Sequence, residues 1–326
     1  MIISQTPLRV SFLGGGSDLP AFYREHGGAV LSTAIDRSVY VTVSKKFDNA
    51  VRVSYSRTEE VPHAGEVQHP LVRESMRLLG IQGGVEITSV ADIPAKGTGL
   101  GSSSSFTVGL LHTLHAFVSR YANAERLASE ACQIEIEKCG EPIGKQDQYA
   151  AAYGGFNFIR FNPDDTVVVE KVIVSPSMLT EIQSQLMFFY TGITRSASQL
   201  LARQSQEVKA AGTALQSTMR LVKLAETAYI ELSNGRIDVL GPMLDESWQL
   251  KKTLTDGITN ELIESAYAAA MRAGASGGKL LGAGGGGFLM FFVPLSKQSA
   301  VRAALAPMLE TPFNLVPYGS RIIFVH

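Results

Sequence analysis

The chain has 326 residues, enough for two domains by a prior of about one per 150 residues, and 45% hydrophobic against 18% charged residues describes a folded globular protein rather than a disordered one. With 29 basic and 30 acidic residues there is no net field to draw nucleic acid or an anionic membrane, so any anionic ligand must be held by local geometry. The N-terminus lacks a signal-peptide pattern and no stretch reaches the ~20 apolar residues that span a bilayer, so a cytoplasmic protein without nucleic-acid or membrane partners is expected.

In chain order, Ile2 to Phe12 reads as a strand broken by Gly14-Gly15-Gly16. Val39, Val41 and Val43, then Val51, Val53 and Tyr55, alternate with polar residues, the period of half-buried antiparallel strands, and Val85 and Ile87 supply another. Leu71, Met76 and Leu79 predict a short helix. A second runs from about Ser103 to Ser119 with Phe106, Leu110, Leu111, Leu114 and Phe117 on its buried side, and a third from Ala124 to Cys139, capped by Gly140. Cys132 and Cys139 lie seven positions apart in this third helix, which at ~1.5 Å per residue separates them by about 10 Å and excludes a disulfide. Strands follow at Phe156 to Phe161, Val167 to Val174 and Leu186 to Tyr190. A helical stretch from Ser196 to Ala273 comes next, then a strand at Gly287 to Val293, a helix at Lys297 to Leu309 and a closing strand at Ile322 to Val325. Strands and segregated helices in both halves predict an α+β fold in two domains. His112 and His115 lie one turn apart but lack a second pair with metal-ligand spacing, so they read as a satisfied helix face; Trp248 and Met243 read as core.

Glycine clusters three times, at Gly14 to Gly16, Gly97 to Gly101 and Gly274 to Gly287, each against an apolar strand or helix rather than in a linker. The middle run, Pro94-Ala95-Lys96-Gly97-Thr98-Gly99-Leu100-Gly101, leads through four serines into a helix, and a glycine turn opening on helical N–H groups is a phosphate cradle. One hydroxyl suffices for a helix cap, so four in a row favour contacts to phosphate oxygens or Mg2+. Two familiar alternatives fail. Gly144-Lys145 and Gly278-Lys279 are followed by Gln146 and Leu280 rather than Ser or Thr, and Gly282, Gly284 and Gly287 precede a strand rather than the helix of a dinucleotide fingerprint.

In this order the segments resemble the three motifs of the GHMP kinases (galactokinase, homoserine kinase, mevalonate kinase and phosphomevalonate kinase) over essentially the whole chain: Pro7-Leu8-Arg9-Val10 through Asp18, Pro94 through Ser105, and Gly274 through Gly287. The texts Gly14-Gly15-Gly16-Ser17-Asp18-Leu19-Pro20, Gly144-Lys145-Gln146-Asp147-Gln148-Tyr149 and Tyr190-Thr191-Gly192-Ile193-Thr194-Arg195-Ser196 resemble the branch of D-glycero-D-manno-heptose 7-phosphate kinases and fucokinases. Galactokinases carry Gly-Glu-His where this chain has Gly14-Gly15-Gly16. The resemblance implies a domain like domain 2 of ribosomal protein S5 over 1–165 and a ferredoxin-like αβ domain over 166–326. It also implies transfer from ATP, with Mg2+, to a sugar phosphate, at the anomeric hydroxyl. Fucose as acceptor, a silent sugar-and-nucleotide sensor and a homodimer are left open.

The resemblance also assigns roles. Asp147 is the expected catalytic carboxylate with Arg9 beside it; the alternative for Asp147 is a cap for a helix through Gln148 to Ala152. Lys96, Gly97, Gly99, Leu100, Gly101, Ser102, Ser103, Ser104 and Ser105, with Gly282, Gly284, Gly285 and Gly286, are expected on the nucleotide phosphates. Ser103 and Glu135 are expected to bind magnesium, with Glu137 as rival. Gly14, Gly15, Gly16, Ser17 and Asp18 are expected on the acceptor, with Lys145, Arg195 and also Arg24 as cations for a phosphate it carries.

Overall fold

Alternating and continuous apolar runs build two sheets, and the computed structural model describes them over residues 1–93, 97–194, 197–210 and 212–326. The chain begins with β1 (Ile2–Leu13), α1 (Pro20–His26), β2 (Gly28–Lys45), β3 (Val51–Ser54), β4 (Thr58–Val61), α2 (Pro70–Leu79) and β5 (Val85–Ala91). Next come α3 (Ser102–Phe117), α4 (Ala124–Cys132), a π-helical turn (Gln133–Lys138), α5 (Gln146–Tyr153), β6 (Phe156–Phe161) and β7 (Val167–Lys171). The second half holds α6 (Pro176–Gln185), β8 (Leu186–Tyr190), α7 (Ala197–Lys209), α8 (Thr213–Ser233), α9 (Leu240–Lys252) and α10 (Glu261–Arg272). It closes with β9 (Gly277–Leu280), β10 (Phe288–Phe292), α11 (Gln298–Ala304), β11 (Leu309–Glu310) and β12 (Arg321–Val325). No helix among the described residues is long and apolar enough to cross a membrane.

The first sheet runs β12-β1-β2-β5-β3-β4 with β6 and β7 added on β2, and the second runs β11-β8-β10-β9. The sheets do not part at residue 165. β7 pairs with β6, and β12 closes the edge of β1, so two strands from the later segment complete the first sheet. β2 is far longer than its alternating half. Gly28 to Ile35 is buried on both faces, with β1 on one edge and β6 on the other, which gives a continuous apolar run with no period to read. α6 carries a Ser175 cap that accepts from the Met178 N–H, followed by Pro at the first helical position, and β9 hides its strand character in Gly277 and Gly278. A Cβ at Gly277 would overlap the carbonyl of Gly241, so glycine there lets α9 lie directly on the strand. α11 stops at Ala304, short of the expected Leu309, ahead of Pro307, which cannot continue it.

Two irregularities aim site residues. Pro7, which cannot donate to a ladder, lies in β1 just past Ile2 to Gln5, the stretch that β12 pairs. The pairing with β2 slips beside it, from Pro7 opposite Ser38 to Leu8 opposite Ile35, and this bulge sits two residues before Arg9. The helix expected from Ala124 to Cys139 is α-helical only to Cys132; beyond it the Cys139 N–H bonds the Ile134 carbonyl, five residues back. Such a turn re-aims the side chains it carries, and one of them is Glu135.

Candidate active site

A cavity of about 490 Å³ opens where the starts of α3 and α5, the end of β1, α7, α9, β9 and the 281–286 glycine loop converge. Gly97, Gly99 and Gly101 all have positive φ, and Gly101 is the left-handed cap of α3, with no side chain closing the first turn. Ser102, Ser103 and Ser104 border the cavity there, so the positive end of a sixteen-residue helix faces it.

The serine run divides its work. Ser103 and Ser104 donate to the two oxygens of Glu135 at 3.3 and 2.8 Å, while Ser105 donates to the Pro7 carbonyl at 2.9 Å and lies outside the cavity. Thr107 and Gln148 complete the shell of Glu135. The glutamate is 1% exposed, and among the described residues no cation pairs with it. Burial, with the charge of Asp147 adding to it, raises its pKa to about 7 even though three of these neighbours donate to it. A hard divalent cation fits this site: a buried carboxylate without a counter-charge stands beside Ser103, whose hydroxyl oxygen completes an all-oxygen pair. Glu137 is exposed.

Asp147 lies in the first turn of α5, where it makes no capping bond. Arg9 donates from Nε to its Oδ1 at 2.7 Å, with Nη2 also 2.7 Å from that oxygen, while Nη1 donates to the Gly99 carbonyl at 2.7 Å. Oδ2 is left facing Gly101, where a Cβ would come within 3.3 Å of it. One arginine thereby fixes the carboxylate and the Gly97–Gly101 turn together.

Asp18 is buried on the cavity wall. The Gly16 N–H reaches its Oδ1 at 3.0 Å, and the Gln146 backbone and side chain donate to its two oxygens at 3.2 and 3.1 Å. Burial, and then the charge of Asp147, raise its pKa from the ordinary value. Gly144 must be a glycine, because a Cβ there would overlap the carboxylate of Asp18. Gly282, Gly284 and Gly286 border the cavity opposite the serine turn, and a Cβ at Gly282 would overlap the Cα of Gly99. The two glycine loops are therefore in backbone contact.

Several expected contacts lie elsewhere. Gly14 and Ser17 build the turn instead of lining the cavity: a Cβ at Gly14 would overlap the Ala29 carbonyl, and the Ser17 hydroxyl donates to the carbonyls of Gly14 and Ala29. Leu100 is fully buried, its carbonyl accepting from the Arg9 N–H at 3.1 Å, and Gly285 points its N–H to Ile258. Lys145 and Arg24 both turn to Asp165, and Lys145 lies 4.9 Å over the ring of Tyr23, so neither borders the cavity. Lys96 and Arg195 lie outside the described residues. His112 meets Ser320 and His115 meets Glu130.

Sequence reasoning missed Lys251 and Lys279, two buried lysines on the cavity wall, the carboxylate partners Gln146, Gln148 and Thr107, and Gln204, which borders the cavity beside Gly16. Lys279 carried a signal, a charge inside the apolar run Gly277 to Leu281. Gln148 is one position past Asp147 and carried none.

Family models for the GHMP kinases N terminal domain and the GHMP kinases C terminal match residues 69–155 and 228–309. A D-glycero-alpha-D-manno-heptose 7-phosphate kinase of Campylobacter jejuni is 29% identical over 93% of this chain and 92% of its own. A bifunctional fucokinase/GDP-fucose pyrophosphorylase of Arabidopsis thaliana is 26% identical over 94% of this chain and 31% of its own. The solved structure of a D-glycero-D-manno-heptose 1-phosphate kinase from Bacteroides thetaiotaomicron shares the fold with a TM-score of 0.82, at 24% identity over the full length of both chains.

Proposed function

The chain belongs to the GHMP kinases, ATP-dependent phosphotransferases, and on that footing we propose that it phosphorylates D-glycero-D-manno-heptose 7-phosphate at the anomeric hydroxyl. The observation that carries the reading is the Arg9–Asp147 pair, whose open Oδ2 faces the phosphate turn at Gly101. The likeness to the Campylobacter enzyme over nearly the whole of both chains supports the choice of sugar.

Phosphoryl transfer asks for an in-line hydroxyl, neutralised phosphate charge and exclusion of water. Asp18 accepts sugar hydroxyls and sets the acceptor's orientation, and Asp147 Oδ2 takes or orients the proton of the attacking hydroxyl. The new bond joins that oxygen to the γ-phosphorus as the bond to the β-phosphate oxygen breaks and ADP leaves. Arg9 and the first turn of α3 face the charge that spreads over the transferred group. Glu135 and Ser103 would hold magnesium, which when bound neutralises charge on the nucleotide phosphates.

The test is ADP release across hexoses, heptoses and their terminal phosphates. The heptose 7-phosphate should exceed every other acceptor in kcat/KM by at least an order of magnitude, and ADP release with no sugar preferred would defeat the reading. Closure of the loops over ATP should depend on their backbone contact. Gly282→Ala adds a side chain at φ +74 against Gly99 and costs roughly 1–2 kcal/mol for the left-handed backbone alone. The KM for ATP should rise at least about tenfold, the kinetic equivalent of ~1.4 kcal/mol, and the melting temperature should fall by a few degrees, since the strained backbone and the overlap with Gly99 are costs of the folded state.

A further inference from the structure

The nucleotide, the carboxylates and magnesium leave two lysines of the cavity wall without work. Lys251, from the last turn of α9, is 7% exposed, and Lys279, from β9, is 3% exposed. Among the described residues each ammonium has a single hydrogen bond, to a backbone carbonyl: Lys251 to Gly282, and Lys279 to Phe12 at 2.9 Å. Neither forms an ion pair among the described residues. An ammonium carries three donors, and a buried charge is ordinarily paired, so two such groups on the wall of one cavity are an unfinished anion site. The electrostatic cost is visible. Burial, with Arg9 nearby, lowers the pKa of Lys251 to about 8, and burial with Lys251 and then Arg9 holds Lys279 well below its ordinary value.

We propose that Lys251 and Lys279 receive the phosphate monoester that the acceptor sugar already carries. This rests on the reading of the acceptor as a sugar phosphate. Geometry places the pair across the cavity from acceptor side to nucleotide side. Lys279 is anchored on Phe12, on the strand end that leads into the Gly14–Gly16 turn, while Lys251 is anchored on Gly282, and both line the same cavity as Asp18. Of the other cations expected for this work, Lys145 and Arg24 are already engaged by Asp165 outside the cavity, and Arg195 lies outside the described residues.

Steady-state kinetics on the full chain test this with D-glycero-D-manno-heptose 7-phosphate and the unphosphorylated heptose as paired acceptors. Lys251→Met keeps the aliphatic stem and removes the charge. It should raise the KM for the heptose 7-phosphate at least about tenfold, a loss of ~1.4 kcal/mol, while the turnover of the unphosphorylated heptose stays within about twofold and the KM for ATP, which feels the lost bond to Gly282, rises by less than about threefold. Inorganic phosphate should compete with the sugar phosphate in the wild type and lose that competition in the variant. Lys251→Arg, which keeps the charge, should retain most of the affinity. Lys279→Met should act like Lys251→Met; if it does not fold, the phosphate competition in Lys251→Met decides alone. An unchanged KM for the sugar phosphate overturns the proposal. So does a loss of kcat that is equal for both acceptors, or a KM for ATP raised as much as that for the sugar phosphate, which would put the lysines on the transferring group. A wild type that turns over the free heptose as well as its 7-phosphate instead refutes the substrate reading, before any variant is made.

Discussion

Asp147→Asn should lower kcat by about a thousandfold or more, with the KM values for ATP and acceptor changed only a few fold. The asparagine keeps the size of the side chain and can still accept from Arg9, so the first turn of α5 and the cavity wall stay in place. What it loses is the negative charge and the proton-accepting Oδ2 that faces the phosphate turn. A general base contributes roughly 10²–10⁴ in such reactions, and the altered field at the transferred group adds to this. Removing the charge also leaves Arg9 buried with only the Gly99 carbonyl as a full acceptor, so stability should fall by about 1–3 kcal/mol. Arg9→Met combined with Asp147→Asn should recover part of that stability and none of the activity. Rapid-quench measurement of the first turnover separates chemistry from product release. A variant whose first turnover matches the wild type, with both substrates bound, would remove Asp147 from the reaction.

What the sequence disclosed about this site is what backbone and chain order encode. Gly97, Gly99, Gly101 and Gly282 are glycines because of positive φ or backbone contact, constraints that print directly into the text of a single chain. Asp18 follows the Gly14–Gly16 turn and Asp147 lies in the first turn of α5, three residues past Gly144, so both stand near glycines that mark them in the text. Positions that depend on distant partners were not. The shell of Glu135 draws on α3 and α5, and nothing near Glu135 announces Ser104, Thr107 or Gln148. The π-helical turn that carries Glu135 looks like ordinary helix by period, because one extra residue per turn leaves no mark on composition. The fold shows the same division. Alternating strands and amphipathic helices were readable, whereas the first half of β2, buried on both faces, and β9, rich in glycine for close packing, were not. Lys145 misled because it sits two positions before Asp147 while its side chain is drawn away by Asp165, whose place in space the sequence does not give.

Glu135→Gln should abolish most activity and yet make the metal-free protein more stable at pH 8. The glutamate's pKa rises from the ordinary 4.5 to about 7 on folding, chiefly through burial. Between those values the folded protein holds a proton that the unfolded chain has released, so this residue's contribution to stability falls as pH rises from about 4.5 to 7 and stays low above it. At 1.36 kcal/mol per unit the full penalty is on the order of 3 kcal/mol, for a side chain that is almost wholly enclosed. Glutamine is neutral throughout, and its amide oxygen can still accept from Ser104 or Thr107, whose hydroxyls can also turn to receive its N–H groups. In EDTA the variant should therefore melt several degrees above the wild type at pH 8, and the gap should close near pH 5. Adding millimolar magnesium should raise the wild type toward the variant and leave the variant unmoved, because a cation that binds only the folded carboxylate stabilises it by mass action. Loss of activity with a gain in stability is the expected mark of a charge kept for a ligand rather than for the fold. A variant that melts below the wild type in EDTA at pH 8, or that responds to magnesium as the wild type does, would show that Glu135 is a structural acceptor for the serine turn and that the metal is held elsewhere.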